Sequence, residues 1–254
     1  GSISLANMSN NVAYVKLLSR NAADTAAGSG AISYYDTNGM SVSQIQSTGT
    51  VTLTSGGVID TDATNVLGSG LVEATNLTIK TLSNAGAGVI LTNASNDIGT
   101  LNVSVRNAAD TASAGSTATE NTTTGAGGAV RVSDTNGFIV GSLQTGASAI
   151  LSAGDAVTQT GAIIVSKLGL SGAGRFTLNL SNAQSAPLNQ ISTFASSATG
   201  AVVLTTNTAL TIGTVNPTGI TTGGAAITIT APSIDASGTT IDTRSASNVV
   251  TSGI

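Results

Sequence analysis

The chain has 254 residues, of which only 8% are charged and six are aromatic, and it contains no cysteine and no histidine. The missing cysteine excludes disulfides and thiolate metal sites. The missing histidine removes the commonest general base and the commonest metal ligand. Eight basic against twelve acidic residues exclude a nucleic-acid-binding surface built on clustered lysine and arginine.

The composition also bears on the kind of secondary structure. Glycine, serine, threonine, asparagine and β-branched residues dominate, and all of them are mediocre or poor in helix interiors. No apolar run approaches the ~18 residues of a membrane helix. No basic segment followed by an apolar core opens the sequence, so we expect no signal peptide within it. Valine, isoleucine and leucine recur in regular bursts that a disordered chain would not need, which predicts an all-β protein.

The bursts alternate apolar and small polar residues, which is the pattern of half-buried strands. They begin at residues 3 and 32, and neighbouring bursts are often 19 residues apart, as from 32 to 51 and from 130 to 149. A second kind of burst lies inside each period, as at residues 40–45. Towards the end of the chain the spacing is about 25, as from 202 to 227. Asparagine-containing turns and glycine-rich turns separate the bursts. Each period therefore contains two or three short strands.

A longer segment is duplicated. The heptapeptide RNAADTA occurs at residues 20–26 and 106–112, an offset of 86. DTNG occurs at residues 36–39 and 134–137, an offset of 98. The second copy has therefore gained twelve residues between the two motifs, in the stretch 113–128. Duplication of several periods together is how solenoids lengthen.

Periods of this length predict a parallel β-helix of about ten coils, because one coil buries its apolar face only against the next. We expect a single domain over residues 1–254, with protruding loops near residues 21–30 and 107–128. Recurrent asparagine at the turns is expected to form hydrogen-bonded ladders between coils.

Three stretches resemble the repeats of filamentous haemagglutinin-like exoproteins, which are long bacterial surface adhesins exported by two-partner secretion. They are GVILTNASNDIGTLNV (88–103), ILSAGDAVTQTGAIIVSKLGLSG (150–172) and GAVVLTTNTALTIGTVNPTGITTGGAAITITA (200–231). The resemblance covers nearly the whole chain and is weakest at 107–128. Autotransporter passengers and the stalks of contact-dependent inhibition proteins look similar.

The resemblance implies a right-handed parallel β-helix, a secreted or cell-surface location and an adhesive or shaft role without catalytic residues. It also implies an outer-membrane secretion partner. Proteins of this family begin with an export domain and a signal peptide, so the chain is expected to be a segment of something longer.

The two RNAADTA motifs are the most conspicuous candidate site. In one interpretation Arg20 and Arg106 anchor a ligand on protruding loops, since arginine is enriched among binding hot spots. In the other interpretation, which we favour, the motif is a structural loop sequence that was copied when its segment was duplicated. Tyr34 and Tyr35 are adjacent in a strand, so one ring is expected to point inward and the other outward, towards a sugar or protein partner.

Carboxylates give no convincing metal or catalytic cluster. Asp60 and Asp62 lie in a glycine-rich context that is one glycine short of the calcium-binding nonapeptide and is not tandem. The sequence therefore predicts a solvated turn at this position. It predicts neither a cofactor nor an enzyme, and Asp60 and Asp62 are the weak candidates for calcium ligands.

The function predicted from the sequence is a structural and adhesive rod of a bacterial surface exoprotein. Its expected partners are a protein or glycan on a host or neighbouring cell, or other copies of itself. Three alternatives stay open: a subunit that stacks end to end into an extracellular fibre, the stalk of a toxin delivery protein, and a polysaccharide-acting β-helix enzyme. Clustered carboxylates in a groove would favour the enzyme.

Overall fold

The structure is a computed structural model that describes residues 1–61, 69–180 and 188–244. Within these ranges the chain forms strands and turns without a helix, and so no helix there is long and apolar enough to cross a membrane. The strands are β1 (Ile3–Leu5), β2 (Tyr14–Leu18), β3 (Ile32–Asp36), β4 (Met40–Ser55), β5 (Ile59–Thr61), β6 (Leu71–Leu82), β7 (Val89–Leu91), β8 (Asp97–Arg106), β9 (Val130–Asp134), β10 (Ile139–Gln144), β11 (Ser148–Ala153), β12 (Thr158–Gln159), β13 (Ile163–Ser171), β14 (Phe176–Leu178), β15 (Gln190–Ser196), β16 (Val202–Thr205), β17 (Leu210–Ile212), β18 (Ile220–Thr221), β19 (Ile227–Thr230), β20 (Ile234–Asp235) and β21 (Ile241–Asp242).

All pairings between these strands are parallel. One unbroken series of pairings runs through ten of them, β1–β3–β4–β6–β8–β10–β13–β15–β17–β20. Each link joins one coil to the next, which confirms the predicted parallel β-helix of about ten coils. At ~4.8 Å between paired strands, the stack is about 45 Å long.

The pairings divide the middle of the stack into three sides. Side 1 contains β1, β3, the C-terminal parts of β4, β6 and β8, and then β10. Side 2 contains the start of β4, followed by β5, β7, β9, β11 and the end of β13. Side 3 begins with the middle of β4 and the starts of β6 and β8, and continues through backbone hydrogen bonds to β14, β16 and β19.

The core consists of aliphatic side chains stacked on one another. Ile32, Val51, Leu77 and Leu101 occupy the same register position in four successive coils, and each is at most 1% exposed. Burying one such side chain contributes about 1.5–3 kcal/mol relative to leaving it exposed. A coil alone leaves one edge of every such side chain in water, so this stabilisation requires the neighbouring coils.

One strand is longer than the sequence predicts. The bursts at residues 40–45 and 51–53 read as two strands, whereas the structure has one strand, β4, that turns a corner with a register shift between Ser47 and Thr50. The Ser47 hydroxyl donates to the carbonyl of Gly30 at 2.7 Å and accepts the N–H of Gly49 at 2.9 Å. Because a side chain satisfies the backbone at this corner, the chain stays extended through it.

Buried asparagines join the coils, but not as the predicted asparagine ladders. Oδ1 of Asn96 accepts the N–H of Val72 in the preceding coil at 2.8 Å. Its Nδ2 donates to the carbonyl of Leu91 in its own coil at 3.3 Å and to that of Ser133 in the next coil at 3.0 Å. The amide therefore bonds to backbone in three successive coils rather than to another asparagine.

Asn189 repeats this arrangement further along the stack. Its Oδ1 accepts the N–H of Ile163 at 2.9 Å, and its Nδ2 donates to the carbonyls of Leu178 at 3.3 Å and Thr205 at 2.9 Å. Both asparagines are fully buried, and their amides bond to backbone groups at or near the ends of strands.

We predict that Asn96→Ala lowers the free energy of unfolding by about 2–4 kcal/mol, since it removes three hydrogen bonds between a buried amide and the backbone of three coils. Urea unfolding followed by circular dichroism measures this. Asn76→Ala is the matched control, because Asn76 is exposed on β6, and we expect it to change stability by less than about 0.5 kcal/mol. Equal losses in the two variants would contradict the role of the buried amide.

Candidate functional site

The two RNAADTA motifs fold into the same loop. Arg20 donates from Nε to Oδ1 of Asp24 at 3.0 Å, from Nη2 to the Asp24 carbonyl at 3.2 Å, and from Nη1 to Oε1 of Gln46 at 3.4 Å. Arg106 makes the equivalent contacts with Asp110 at 3.0 and 3.1 Å and with Gln144 at 3.4 Å. The loop backbone matches as well, since Asp24 and Asp110 both have positive φ, at 53° and 55°.

These contacts show the role of the two arginines within the folded chain. Each guanidinium closes its own loop and ties it to a glutamine on the next coil, so its donors are directed at the protein rather than outward. The repeated geometry supports the interpretation of RNAADTA as a structural loop sequence that was duplicated with its segment.

The DTNG motif is also structural in both copies. Asp36 accepts the N–H of Val12 at 3.0 Å, while Nδ2 of Asn10 donates to the carbonyl of Tyr35 at 3.1 Å. In the second copy, Asp134 accepts the N–H of Ile98 at 2.8 Å while Asn96 donates to the carbonyl of Ser133. We call this reciprocal pair of contacts the coil clamp. The glycine of the motif is required because a Cβ at Gly39 or Gly137 would overlap the backbone of the next coil.

The two copies lie on different sides of the stack. β3 of the first copy belongs to side 1, whereas its counterpart β9 belongs to side 2. The first loop, residues 21–30, therefore leaves the corner between sides 3 and 1, and the second loop, residues 107–128, leaves the corner between sides 1 and 2.

The insertion in the second loop is anchored to later coils. Oε2 of Glu120 accepts the N–H and the hydroxyl of Ser148 at 2.8 and 2.7 Å, and its Oε1 accepts Nζ of Lys167 at 2.8 Å. At the other end, Lys80 of β6 lies 2.8 Å from Asp110. Lys80 and Arg106 together lower the pKa of the Asp110 carboxyl. The loop thus crosses several coils as a fixed ridge, while residues 116–119 remain exposed.

We predict that Arg106→Ala accelerates amide hydrogen exchange within residues 107–112 and costs no more than about 1 kcal/mol of stability, because the ion pair it removes is partly solvated. Arg20→Ala is the matched variant and should accelerate exchange in residues 21–26 in the same way. Unchanged exchange in both loops would contradict the closing role of the arginines.

Asp134 is a buried carboxyl with a perturbed pKa. It is 5% exposed, and burial raises its pKa to about 6 against the lowering effect of the Ile98 and Asn136 N–H groups. Asp97 on the adjacent coil raises it further. Because the folded chain holds this proton more tightly than the unfolded chain, Asp134 favours folding most below pH ~4 and progressively less as the pH rises to about 6.

We predict that Asp134→Asn reduces the fall in stability between pH 4 and pH 6 relative to the unaltered chain. Urea unfolding at several pH values measures the slope, and the slope rather than the absolute stability is the readout, since the asparagine also loses an acceptor. An identical pH dependence in the two proteins would contradict the assignment of the raised pKa to Asp134.

The two tyrosines divide as the strand pattern predicts, which removes Tyr34 from the ligand candidates. Tyr34 is 5% exposed, and its hydroxyl donates to Oδ2 of Asp36 at 3.1 Å. Burial and that carboxylate raise the pKa of Tyr34 to about 12. The ring is a core residue, because its strand position points inward. Tyr35 points outward and is partly exposed.

The predicted acidic turn is only partly described. Asp60 lies within β5, in register with Ser41 and Ile90, so it belongs to a strand rather than to a turn. Asp62 lies outside the described residues. Within the described ranges, no three carboxylates are grouped as metal ligands.

The structure brings together one carboxylate pair that the sequence reasoning missed. Glu73 and Asp97 are directly opposite each other on adjacent coils of side 3, next to a cavity of about 180 Å³. Gln46 and Asn136 extend this row, with their amides donating to Glu73 at 3.1 Å and to Asp97 at 3.4 Å. Coil register alone reveals the pair, because 24 residues separate the two in the chain.

A neutral groove of about 250 Å³ extends beside the second loop. It crosses several coils and is lined by hydroxyl and amide side chains, among them Ser113, Ser166, Gln190 and Thr208, together with Ile164 and Val165. Its chemistry suits hydrogen bonding to an uncharged partner.

Comparison of the chain with protein-family models, with curated proteins and with solved structures gives no match.

Proposed function

We propose that the chain is a structural and adhesive rod of a bacterial surface exoprotein. The observation that carries the proposal is the display of two copies of one loop at two different corners of a continuous stack. A rod that holds loops in fixed positions presents them to a partner without the entropy cost of ordering them on binding.

The stack has the features of a stiff spacer. Its sides are joined by parallel ladders, its core is a set of aliphatic columns, and coil clamps fix the turns. Such a body keeps its two ends apart, which is what a surface shaft has to do.

The charges of the loops are mutually satisfied. Arg20 pairs with Asp24, Asp110 pairs with both Arg106 and Lys80, and Glu120 pairs with Lys167. A partner therefore meets mainly hydroxyl and amide groups. We infer that contacts are individually weak and neutral, made to a glycan or a protein of another cell, and that several rods act together through avidity.

The location rests on the resemblance to filamentous haemagglutinin-like exoproteins, which also supports a secretion partner in the outer membrane. The stalk of a toxin delivery protein would use the same rod. Only sequence outside this chain would distinguish such a stalk from the rod of an adhesin. The Glu73–Asp97 pair is the one observation that bears on a polysaccharide-acting enzyme, and an acidic pair alone does not favour that function.

The proposal predicts that fluorescent beads coated with the purified chain adhere to bacterial or epithelial cells. Thr117→Lys combined with Thr123→Lys, at exposed positions of the second loop, should weaken adhesion by about tenfold, the equivalent of ~1.4 kcal/mol. Binding to a glycan array then separates sugar from protein partners.

A matched control carries the same charge change on the rod: Thr158→Lys combined with Thr211→Lys, at exposed positions of β12 and β17, should adhere like the unaltered chain. Beads that do not adhere to any cell type, or equal losses in the loop and control variants, would overturn the proposal.

A further inference from the structure

The groove beside the second loop follows one corner of the stack. β13 passes from side 1 to side 2 at this corner, since Ile164 lies beside Gln144 of β10 and Leu168 lies beside Ala149 of β11. The second loop leaves the stack at the same corner and contributes Ser113 to the lining of the groove. The groove therefore begins at the fixed ridge of the second loop and continues over the later coils.

Three polar side chains of the lining form no hydrogen bond within the described residues. They belong to Ser113, Gln190 and Ser192, and all three residues are exposed. Gln190 and Ser192 point outward from β15 on either side of the buried Ile191. At ~3.3 Å per residue they lie about 7 Å apart along the strand. One amide and two hydroxyls thus offer both donors and acceptors to a partner.

Other polar groups of the lining are bonded to the protein, and they fix the shape of the groove. The Ser166 hydroxyl donates to the carbonyl of Gly146 at 2.6 Å, and the Thr208 hydroxyl donates to the carbonyl of Ile191 at 2.8 Å. β13 and β15 are each paired along both edges. Because the backbone beneath the free side chains is already ordered, a partner does not have to order it on binding.

The lining also indicates the chemical class of the partner. None of the described residues that line the groove is charged, so an ionic group would lose its hydration there without gaining an opposite charge. Ile164 is partly exposed and lies in register with Gln190, which places an apolar surface beside the free amide. A sugar ring matches this combination, because it carries uncharged hydroxyls around an apolar C–H face.

An extended peptide fits the groove less well than a sugar chain. Peptides that bind to sheets gain most of their affinity by adding a strand to an unpaired edge. The strands under the groove have no such edge, since β13 lies between β11 and β15, and β15 lies between β13 and β17. Only side chains are therefore available for binding.

We propose that this groove binds an uncharged glycan, with sugar hydroxyls bonded to Ser113, Gln190 and Ser192 and one ring face packed on Ile164. The proposal rests on the proposed adhesive function, to which it adds the class of partner and the place where it binds. The described lining contains no aromatic ring, so each contact is weak and rods have to act together.

The test is binding of beads coated with the purified chain to immobilised neutral oligosaccharides of hexoses and N-acetylhexosamines, and to their sialylated and sulfated forms. We expect binding to neutral oligosaccharides and no gain from added acidic groups. Gln190→Ala combined with Ser192→Ala removes two hydrogen-bonding groups and should weaken this binding roughly tenfold.

The matched control is Asn76→Ala combined with Thr78→Ala. These residues also place an amide and a hydroxyl two positions apart on the outer face of a strand, β6, away from the groove. The control should bind like the unaltered chain, and circular dichroism checks that both variants are folded.

Three results would overturn the proposal: no binding of the unaltered chain to any neutral oligosaccharide, stronger binding to the acidic forms, or equal losses in the groove and control variants. Beads that adhere to cells without binding neutral oligosaccharides would remove the glycan groove and leave the adhesive function intact. Beads that bind neutral oligosaccharides but adhere to no cell would remove the adhesive function and leave the groove.

Discussion

The contact between one coil and the next is the interaction on which the rest of this structure depends. A single coil of about 20 residues has neither a closed hydrogen-bond ladder nor a buried core, and both appear only when another coil lies against it. Ile32, Val51, Leu77 and Leu101 illustrate this, because each is covered by its neighbours in the column. Buried asparagines such as Asn96 add hydrogen bonds across coils to backbone groups near the ends of strands. The stability of the rod is therefore distributed along its length.

The duplicated segment shows how such a rod can lengthen without losing this contact. Both copies keep the coil clamp, and both arginines close their loops with the same partners, although the second loop carries twelve additional residues. The insertion is tolerated because it lies outside the ladder, and Glu120 fastens it to later coils. Since the copy entered the stack one side further round, β3 and β9 lie on different sides and the loops leave different corners. A duplication thus changed the directions in which the rod presents its loops.

The same dependence on a neighbouring coil connects the fold to the proposed function. In the middle of the stack each coil is covered by the coils before and after it. The side chains exposed there are mostly small, polar and uncharged, which suits a spacer that makes weak repeated contacts.

The sequence by itself determined the all-β class, the coil length, the approximate number of coils and both loop positions, because these follow from local alternation and from exact repeats. It also predicted that one of Tyr34 and Tyr35 faces inward. Only the tertiary structure decided what depends on register between coils, since residues that meet there lie about 20 to 40 positions apart. It placed Tyr34 rather than Tyr35 in the core, put Asp60 in a strand, and joined two expected strands into β4. It also set Glu73 opposite Asp97 and turned the expected asparagine ladders into amide-to-backbone bonds. Alternation within one strand cannot specify these contacts, because they depend on how many residues each intervening turn contains.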